Sequence, residues 1–320
     1  MIDTLYWRSL ADTLQQAGVQ VYEQDWLGSL AQPEINLTAP LGFFKNMAEQ
    51  LAERNINVQY SMALPRHILA SSRFANVTTV RLSQDRFRRD RWDDFLYGSR
   101  LASAVGLWPW ADVTKSAEAA NLLIATLSAG PVGVGDALGE INVENLSRVA
   151  RADGAIVRPD APLVPTDDVY LRDAQGLGGP MIASTFTDFS NLRAVYLFAY
   201  TRDDMKSMRV RPSDLGFVGP VYVYDYVASR GALLDPEQSW EATIEGDFAY
   251  YIIVPVGPSG IAIVGDLGQL VPLGKKRIAS VRDDGVLEFT VAFAATELTR
   301  IVEGYAAGPV SANAIAGDIE

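Results

Sequence analysis

Along the first half of the chain, stretches with apolar residues every three or four positions alternate with short β-branched runs. The spacing predicts a helix over 4–16, ended by Ala17-Gly18, and a strand over 19–24. A second helix is predicted over 40–54. Its Pro40 suits a first turn, where the missing N–H has no intrahelical partner. A strand over 57–63, a short helix near 66–74 and a strand over 77–82 follow. A helix over 91–104 leads into the apolar run 105–112, and a helix over 116–128 leads into a strand over 131–135. A helix over 142–151 closes the region. Five strand–helix units in succession predict a parallel sheet with helical crossovers.

From about residue 166 the pattern changes. Strands are predicted over 193–201, 219–227, 248–255, 260–264, 276–281 and 286–293, separated by turn residues such as Arg-Asp-Asp and Gly-Pro-Ser-Gly. Strands that follow one another without helices predict an antiparallel β-sandwich. The segment 158–165 holds three prolines and reads as a stiff linker. The resulting division is a strand–helix domain over 1–165, a β-sandwich over 166–306 and a loose tail over 307–320.

Charge and composition narrow the partners. The chain of 320 residues carries 27 Lys+Arg against 39 Asp+Glu, a net charge of −12, which disfavours nucleic acid and anionic membrane surfaces. The basic cluster Arg86-Phe-Arg-Arg-Asp-Arg91 is short, mixed with acid and set in an acidic chain, so it reads as a solvated face. A neutral ligand such as a sugar is compatible with this balance. The absence of cysteine removes disulfides, thiol nucleophiles and Cys-ligated metals, and it fits a reducing, cytoplasmic location. The start of the chain has no basic region followed by an apolar one, and no run of about 18 apolar residues occurs, so neither a signal peptide nor a membrane span is expected. The single histidine, His67, leaves no His pair for a metal and no ready triad, and it reads as structural.

Two aspartates stand just after predicted strands: Asp25 after 19–24, and Asp85 after 77–82. Catalytic groups of strand–helix barrels project from the C-terminal ends of strands, and two carboxylates so placed can break a glycosidic bond as nucleophile and acid/base. Each also has a plainer reading, as a helix cap or a loop acid. The run Gly106-Leu-Trp-Pro-Trp-Ala-Asp112 is less ordinary. Its Trp108 and Trp110 fit either a sugar-stacking platform or a buried aromatic cap. Ser128–Asp136 is glycine-rich but lacks the register of a dinucleotide or P-loop motif.

Taken in order, these motifs resemble the C-terminal part of the raffinose synthase and seed-imbibition-type alkaline α-galactosidases, a family in the α-galactosidase/α-glucosidase clan of glycoside hydrolases. The likeness is carried by 128–158, similar to the family's passage out of its last barrel strand, and by Pro165-Thr-Asp-Asp-Val-Tyr-Leu171, similar to the entry to its C-terminal β-domain. The resemblance implies that Asp25 is the nucleophile and that Asp85, in Arg81-Leu-Ser-Gln-Asp85, is the acid/base. It further implies that Arg81, Trp108, Trp110, Asp112 and Asp136 contact substrate, with no cofactor and no metal. Where the clan often has lysine two positions before the nucleophile, this chain has Glu23.

The implied fold is α/β plus all-β: a partial (β/α)8 TIM-type barrel, its fourth to eighth strand–helix units, followed by an antiparallel β-sandwich. A closed barrel needs eight strands. The expectation is therefore a C-terminal portion of a longer enzyme, with a missing N-terminal segment or a partner chain completing the barrel, and with instability or inactivity otherwise. The implied activity is retaining hydrolysis of an α-glycoside. The alternatives are transfer to a sugar acceptor, a non-catalytic carbohydrate-binding relic, and a binding module with no sugar role.

Overall fold

The fold is that of a computed structural model of the chain, described over residues 3–30 and 39–315. The last residues of the 307–320 tail, 316–320, lie outside the described residues. The chain forms two compact units, one of residues 1–114 with 130–133, the other of 115–129 with 134–320.

The first unit alternates as its sequence predicts. It contains α1 (Thr4–Gln16), β1 (Val21–Gln24), α2 (Leu27–Leu30), α3 (Ala39–Ala52), β2 (Asn57–Tyr60), α4 (Pro65–Ser71), β3 (Val77–Arg81), α5 (Trp92–Ala104), β4 (Trp108–Trp110) and β5 (Val113–Thr114). The first helix starts where the Asp3 side chain accepts the Leu5 N–H at 2.8 Å, which satisfies one of the orphan donors of the first turn. Its apolar stripe buries Trp7 and Ala11. Strands β1 to β4 form one parallel sheet in that order.

Side chains alternate across a strand, and here the alternation separates two chemistries. Val58 and Tyr60 of β2 and Val80 of β3 are buried in the helix-covered core with Trp7, Phe43, Phe44, Met47 and Leu51, and a register shift between the Val58–Val77 and Gln59–Thr79 pairs brings Val77 into the same core. Trp7 meets Phe43 edge-on at 5.3 Å, and Phe44 lies 5.7 Å from Tyr60. The other face carries Glu23, Gln59, Thr79 and Trp108 in one register row. His67 belongs to the apolar side: it is buried, its Nδ1 accepts the Leu64 N–H at 3.1 Å, and its ring lies 5.2 Å from Phe44.

The sheet has four strands rather than five. The segment expected as a fifth, 131–135, forms only β6 (Gly133–Val134), outside the parallel sheet. Pro131 offers no N–H, and the glycines on either side offer no side chain to pack. At Gly130 the backbone presses so closely on Pro109 that a Cβ would stand 1.8 Å from its carbonyl oxygen.

The second unit holds α6 (Ala119–Leu127), α7 (Val143–Ser147), β7 (Val164–Pro165), α8 (Asp167–Ala174) and then eleven strands. These are β8 (Met181–Asp188), β9 (Arg193–Tyr200), β10 (Ser207–Val210), β11 (Val221–Asp225), β12 (Arg230–Leu234), β13 (Trp240–Thr243), β14 (Ala249–Pro255), β15 (Ile261–Gly265), β16 (Ile278–Asp283), β17 (Leu287–Val291) and β18 (Glu303–Ala306). Six of the strands form an antiparallel sheet in the order β12-β11-β14-β9-β8-β7, and β10-β13, β15-β18 and β16-β17 pair as two-stranded sheets. In the central strands β9 and β14 nearly every residue is buried, which explains their unbroken apolar runs. Their polar tips are met: the Tyr196 hydroxyl lies 3.1 Å from that of Thr187, and Tyr250 donates to the Leu270 carbonyl at 2.6 Å.

Arg277, 0% exposed, is the most demanding group of this unit. It forms a fork to Glu297 at 2.7 and 2.8 Å and donates to the Ala292 carbonyl at 2.7 Å. Its Nε stands 3.1 Å from Asp266 Oδ2, outside hydrogen-bonding geometry. Hydrogen bonding to Arg277 holds the Glu297 carboxyl well below the usual carboxylate range, against the burial that raises it. A pKa lowered on folding gives stability that is complete above the unfolded value and lost as pH falls through the folded one. Arg277→Met, which leaves the buried Asp266 without a cation and Glu297 with Arg300 alone, is therefore expected to cost about 3–5 kcal/mol in denaturant unfolding. Glu297→Gln should flatten the acid limb of stability measured below the ordinary glutamate range.

Candidate active site

Three of the four parallel strands leave the sheet in the same way. Two residues beyond the ends of β1, β2 and β4, the backbone turns left-handed at Trp26 (φ 60°), Met62 (φ 53°) and Asp112 (φ 56°). Non-glycine residues seldom adopt this region, and such strain concentrates at functional sites. These turns set the positions of the side chains at the C-terminal edge of the sheet.

Asp25 directly follows β1, and Ser61 directly follows β2. The Ser61 hydroxyl donates to Asp25 Oδ1 at 2.6 Å. Beside them, Gln24 donates to the Asp25 carbonyl at 2.8 Å and receives the Tyr22 hydroxyl at 3.0 Å. The hydrogen bond from Ser61 is the largest influence on the Asp25 carboxyl, which lies below its ordinary range. Burial opposes the shift, while the Trp26 N–H and the charge of Arg81 reinforce it.

Arg81 ends β3 with its side chain 9% exposed. It donates to Asp112 Oδ2 at 2.8 Å, and its other terminal nitrogen lies 3.3 Å from Asp85 Oδ1. The two carboxylates differ in setting: the Asp112 side chain is 12% exposed, that of Asp85 96%. Burial raises the Asp112 carboxyl, and the charge of Arg81 opposes the rise. Arg81 stands opposite Trp110 in the register of β3 with β4, and Thr79 stands opposite Trp108; both tryptophans are half-buried. Thr79 donates to Gln59 Oε1 at 3.1 Å, which extends the polar row across to β2.

Of the sequence-predicted residues, Asp25, Arg81, Asp85, Trp110 and Asp112 thus fall along this edge of the first unit, and Trp108 stands one row further in, opposite Thr79. Asp136 belongs to the second unit, where its carboxylate accepts the Ser116 N–H at 2.9 Å. Sequence reasoning passed over Ser61, Gln59 and Thr79. Ser61 carried a readable signal, because it stands directly after β2 as Asp25 does after β1. Among the described residues no group of three or more His, Asp or Glu side chains is placed to hold a metal ion.

No protein-family profile and no curated protein sequence matches the chain. Solved structures similar to it include glycoside hydrolases. A candidate α-N-acetylgalactosaminidase of Bacillus halodurans shows 14% identity and a TM-score of 0.47 over 79% of this chain and 62% of that one. A candidate α-galactosidase of Bacteroides fragilis shows 12% identity and a TM-score of 0.46 over 78% of this chain and 57% of that one. A family 5 glycoside hydrolase of Bacteroides vulgatus shows 11% identity and a TM-score of 0.26. The chain spans less than two thirds of the length of the first two. At these scores the chemistry of the site, and not the likeness, carries the functional reading.

Removing the Ser61 hydroxyl tests the electrostatics of Asp25. Ser61→Ala is expected to raise the Asp25 carboxyl toward its ordinary value, measured by carbon-detected NMR titration of the side-chain carboxyl. An unchanged titration would place the cause of the depression elsewhere.

Proposed function

We propose that the chain carries the catalytic edge of a retaining α-glycoside hydrolase, with Asp25 as nucleophile. The observation that carries this reading is the setting of Asp25: a carboxylate kept ionised by the Ser61 hydroxyl at the C-terminal end of a parallel strand, beside a buried guanidinium and further carboxylates. A nucleophilic carboxylate has to stay charged at working pH, and the lowered pKa serves that need. Asp25 attacks the anomeric carbon and forms a glycosyl ester as the leaving oxygen departs. In the second step an activated water or acceptor hydroxyl breaks that ester with a second inversion. Trp108 and Trp110 offer aromatic surface to the sugar ring. Polar side chains gathered at the C-terminal ends of the parallel strands fit the active-site end of such a barrel, and the antiparallel strands of the second unit fit the sandwich of such enzymes.

The partner acid has two settings. In the first, Asp85 protonates the leaving oxygen, with Arg81 beside it. A second reading gives that role to Asp112, which has the burial that favours the protonated form. The substrate is an α-linked oligosaccharide of the galactoside or glucoside type. Glu23, two positions before the nucleophile on the same face, places a carboxylate where a lysine would donate to sugar hydroxyls, so galactose is not the assumed sugar. Transfer to a sugar acceptor uses the same residues and is separated from hydrolysis by whether an acceptor outcompetes water. A missing segment or second chain completing the barrel remains part of this proposal, because β1 and β4 end the sheet on either side.

Three variants test the roles. Asp25→Ala should abolish turnover, and azide should restore it as a glycosyl azide of inverted configuration. Removing the true acid should slow substrates with poor leaving groups by about 10²–10⁴-fold while sparing an activated dinitrophenyl glycoside. Asp85→Ala and Asp112→Ala compared in this way identify the acid. Turnover that survives both Asp25→Ala and Asp85→Ala without azide would contradict the nucleophile assignment.

A further inference from the structure

The second unit contains a cleft of about 360 Å³, within the range of about 300–1,000 Å³ usual for small-molecule sites. Its floor is made of small side chains on the antiparallel sheet: Val223 of β11, Ala232 of β12 and Ala249 of β14. Val223 stands opposite Ala232 in the register, which leaves a depression where larger pairs would fill the surface. The wall is β13, paired with β10, and it presents Trp240.

Trp240 stands edge-to-face with Tyr251 at 4.3 Å and 89°. Tyr251 is buried and Trp240 half-buried, so of this pair it is the tryptophan that offers surface to a ligand. Phe248, also half-buried on the lining, is stacked on Phe198 at 5.6 Å and 26°, so the aromatics form a stacking platform and not a closed cage. The rim carries Asp225, Glu241, Glu245 and Arg230. These charges are largely answered: Arg209 lies 3.0 Å from Glu241, Arg230 stands opposite Asp225 in the register, and Asp225 Oδ1 accepts the N–H groups of Val227 and Ala228. A guanidinium on the rim disfavours an organic cation, and the carboxylates disfavour an anion. A neutral ring with one apolar face and a periphery of hydroxyls fits both features. Burial and the charge of Asp225 push the Tyr251 hydroxyl up to about 12, so it keeps its proton as a donor at any working pH.

We infer that this cleft is a saccharide-binding site, distinct from the Asp25 site, in which a sugar ring stacks on Trp240 and its hydroxyls meet Arg230 and Glu245. The site binds and does not turn over. It does not depend on the glycosidase reading, because its residues all belong to the second unit.

The test uses the full chain carrying Asp25→Asn, labelled with 5-fluorotryptophan, with the Trp240 signal assigned by Trp240→Phe. Maltotriose, raffinose and choline are titrated separately at millimolar concentration and read by fluorine NMR. At least one of the two saccharides is expected to shift the Trp240 signal, with choline without effect. Ala232→Leu, an exposed position whose larger side chain fills the floor, should abolish that shift. Trp240→Ala, read by calorimetry, should weaken the same saccharide about tenfold or more. A Trp240 signal unmoved by both saccharides, a shift with choline alone, or saccharide binding unchanged in both Ala232→Leu and Trp240→Ala would overturn the inference. Loss of activity in Asp25→Ala bears on neither outcome, so the two proposals fail separately.

Discussion

A guanidinium that is only 9% exposed has to be met by negative charge, and Arg81 is the group around which the edge of the parallel sheet is organised. An uncompensated buried cation is costly. Asp112 therefore sits where its backbone turns left-handed, Asp85 reaches back from the loop after β3, and the field of Arg81 extends to Asp25. Removing Arg81 would leave Asp112 buried without its partner and Asp25 without one of its stabilising charges. The two carboxyls respond in opposite directions, Asp25 lowered by the Ser61 hydroxyl and Asp112 raised by burial. Such divergence is what separates a group that must be charged from one that can hold a proton.

The sheet makes this possible through its two faces. Val58 and Tyr60 of β2 pack against the helices, a register shift early in β3 lets both Val77 and Val80 join them, and Gln59, Thr79 and Arg81 are left to the other face. An open sheet covered by helices on both sides would need apolar residues at both parities. The second unit solves a different problem. Its central strands are buried throughout, and Arg277 is paid for by a fork to Glu297, so its rigidity rests on packing and one buried ion network.

Much of the first unit was legible from periodicity. The helix over 4–16 coincides with α1, and β1, β2, β3 and α5 fall inside or within a residue or two of their predicted spans. Asp25 and Asp85 stood out because a carboxylate after a β-branched run is a local signal. Other elements were less legible. Val-Gly-Val at 132–134 looks like a strand, but Pro131 lacks the N–H that a ladder needs, and the parallel sheet stops at four. Helix α8 shows no apolar stripe in the sequence, since Val169 is its one buried residue, and in β8 Met-Ile-Ala-Ser-Thr-Phe alternates weakly. Ser61 was overlooked because a serine after a strand gains meaning only when Asp25 is seen 2.6 Å away.

The central claim is that Asp25 forms a covalent bond to a sugar. Mechanism-based cyclophellitol aziridines of α-gluco and α-galacto configuration, incubated with the full chain and followed by peptide mass spectrometry, test it directly. The account predicts one adduct, on the carboxylate of Asp25 and lost in Asp25→Asn. A stable adduct on Asp85, Asp112 or any other residue, with Asp25 unmodified, would contradict it.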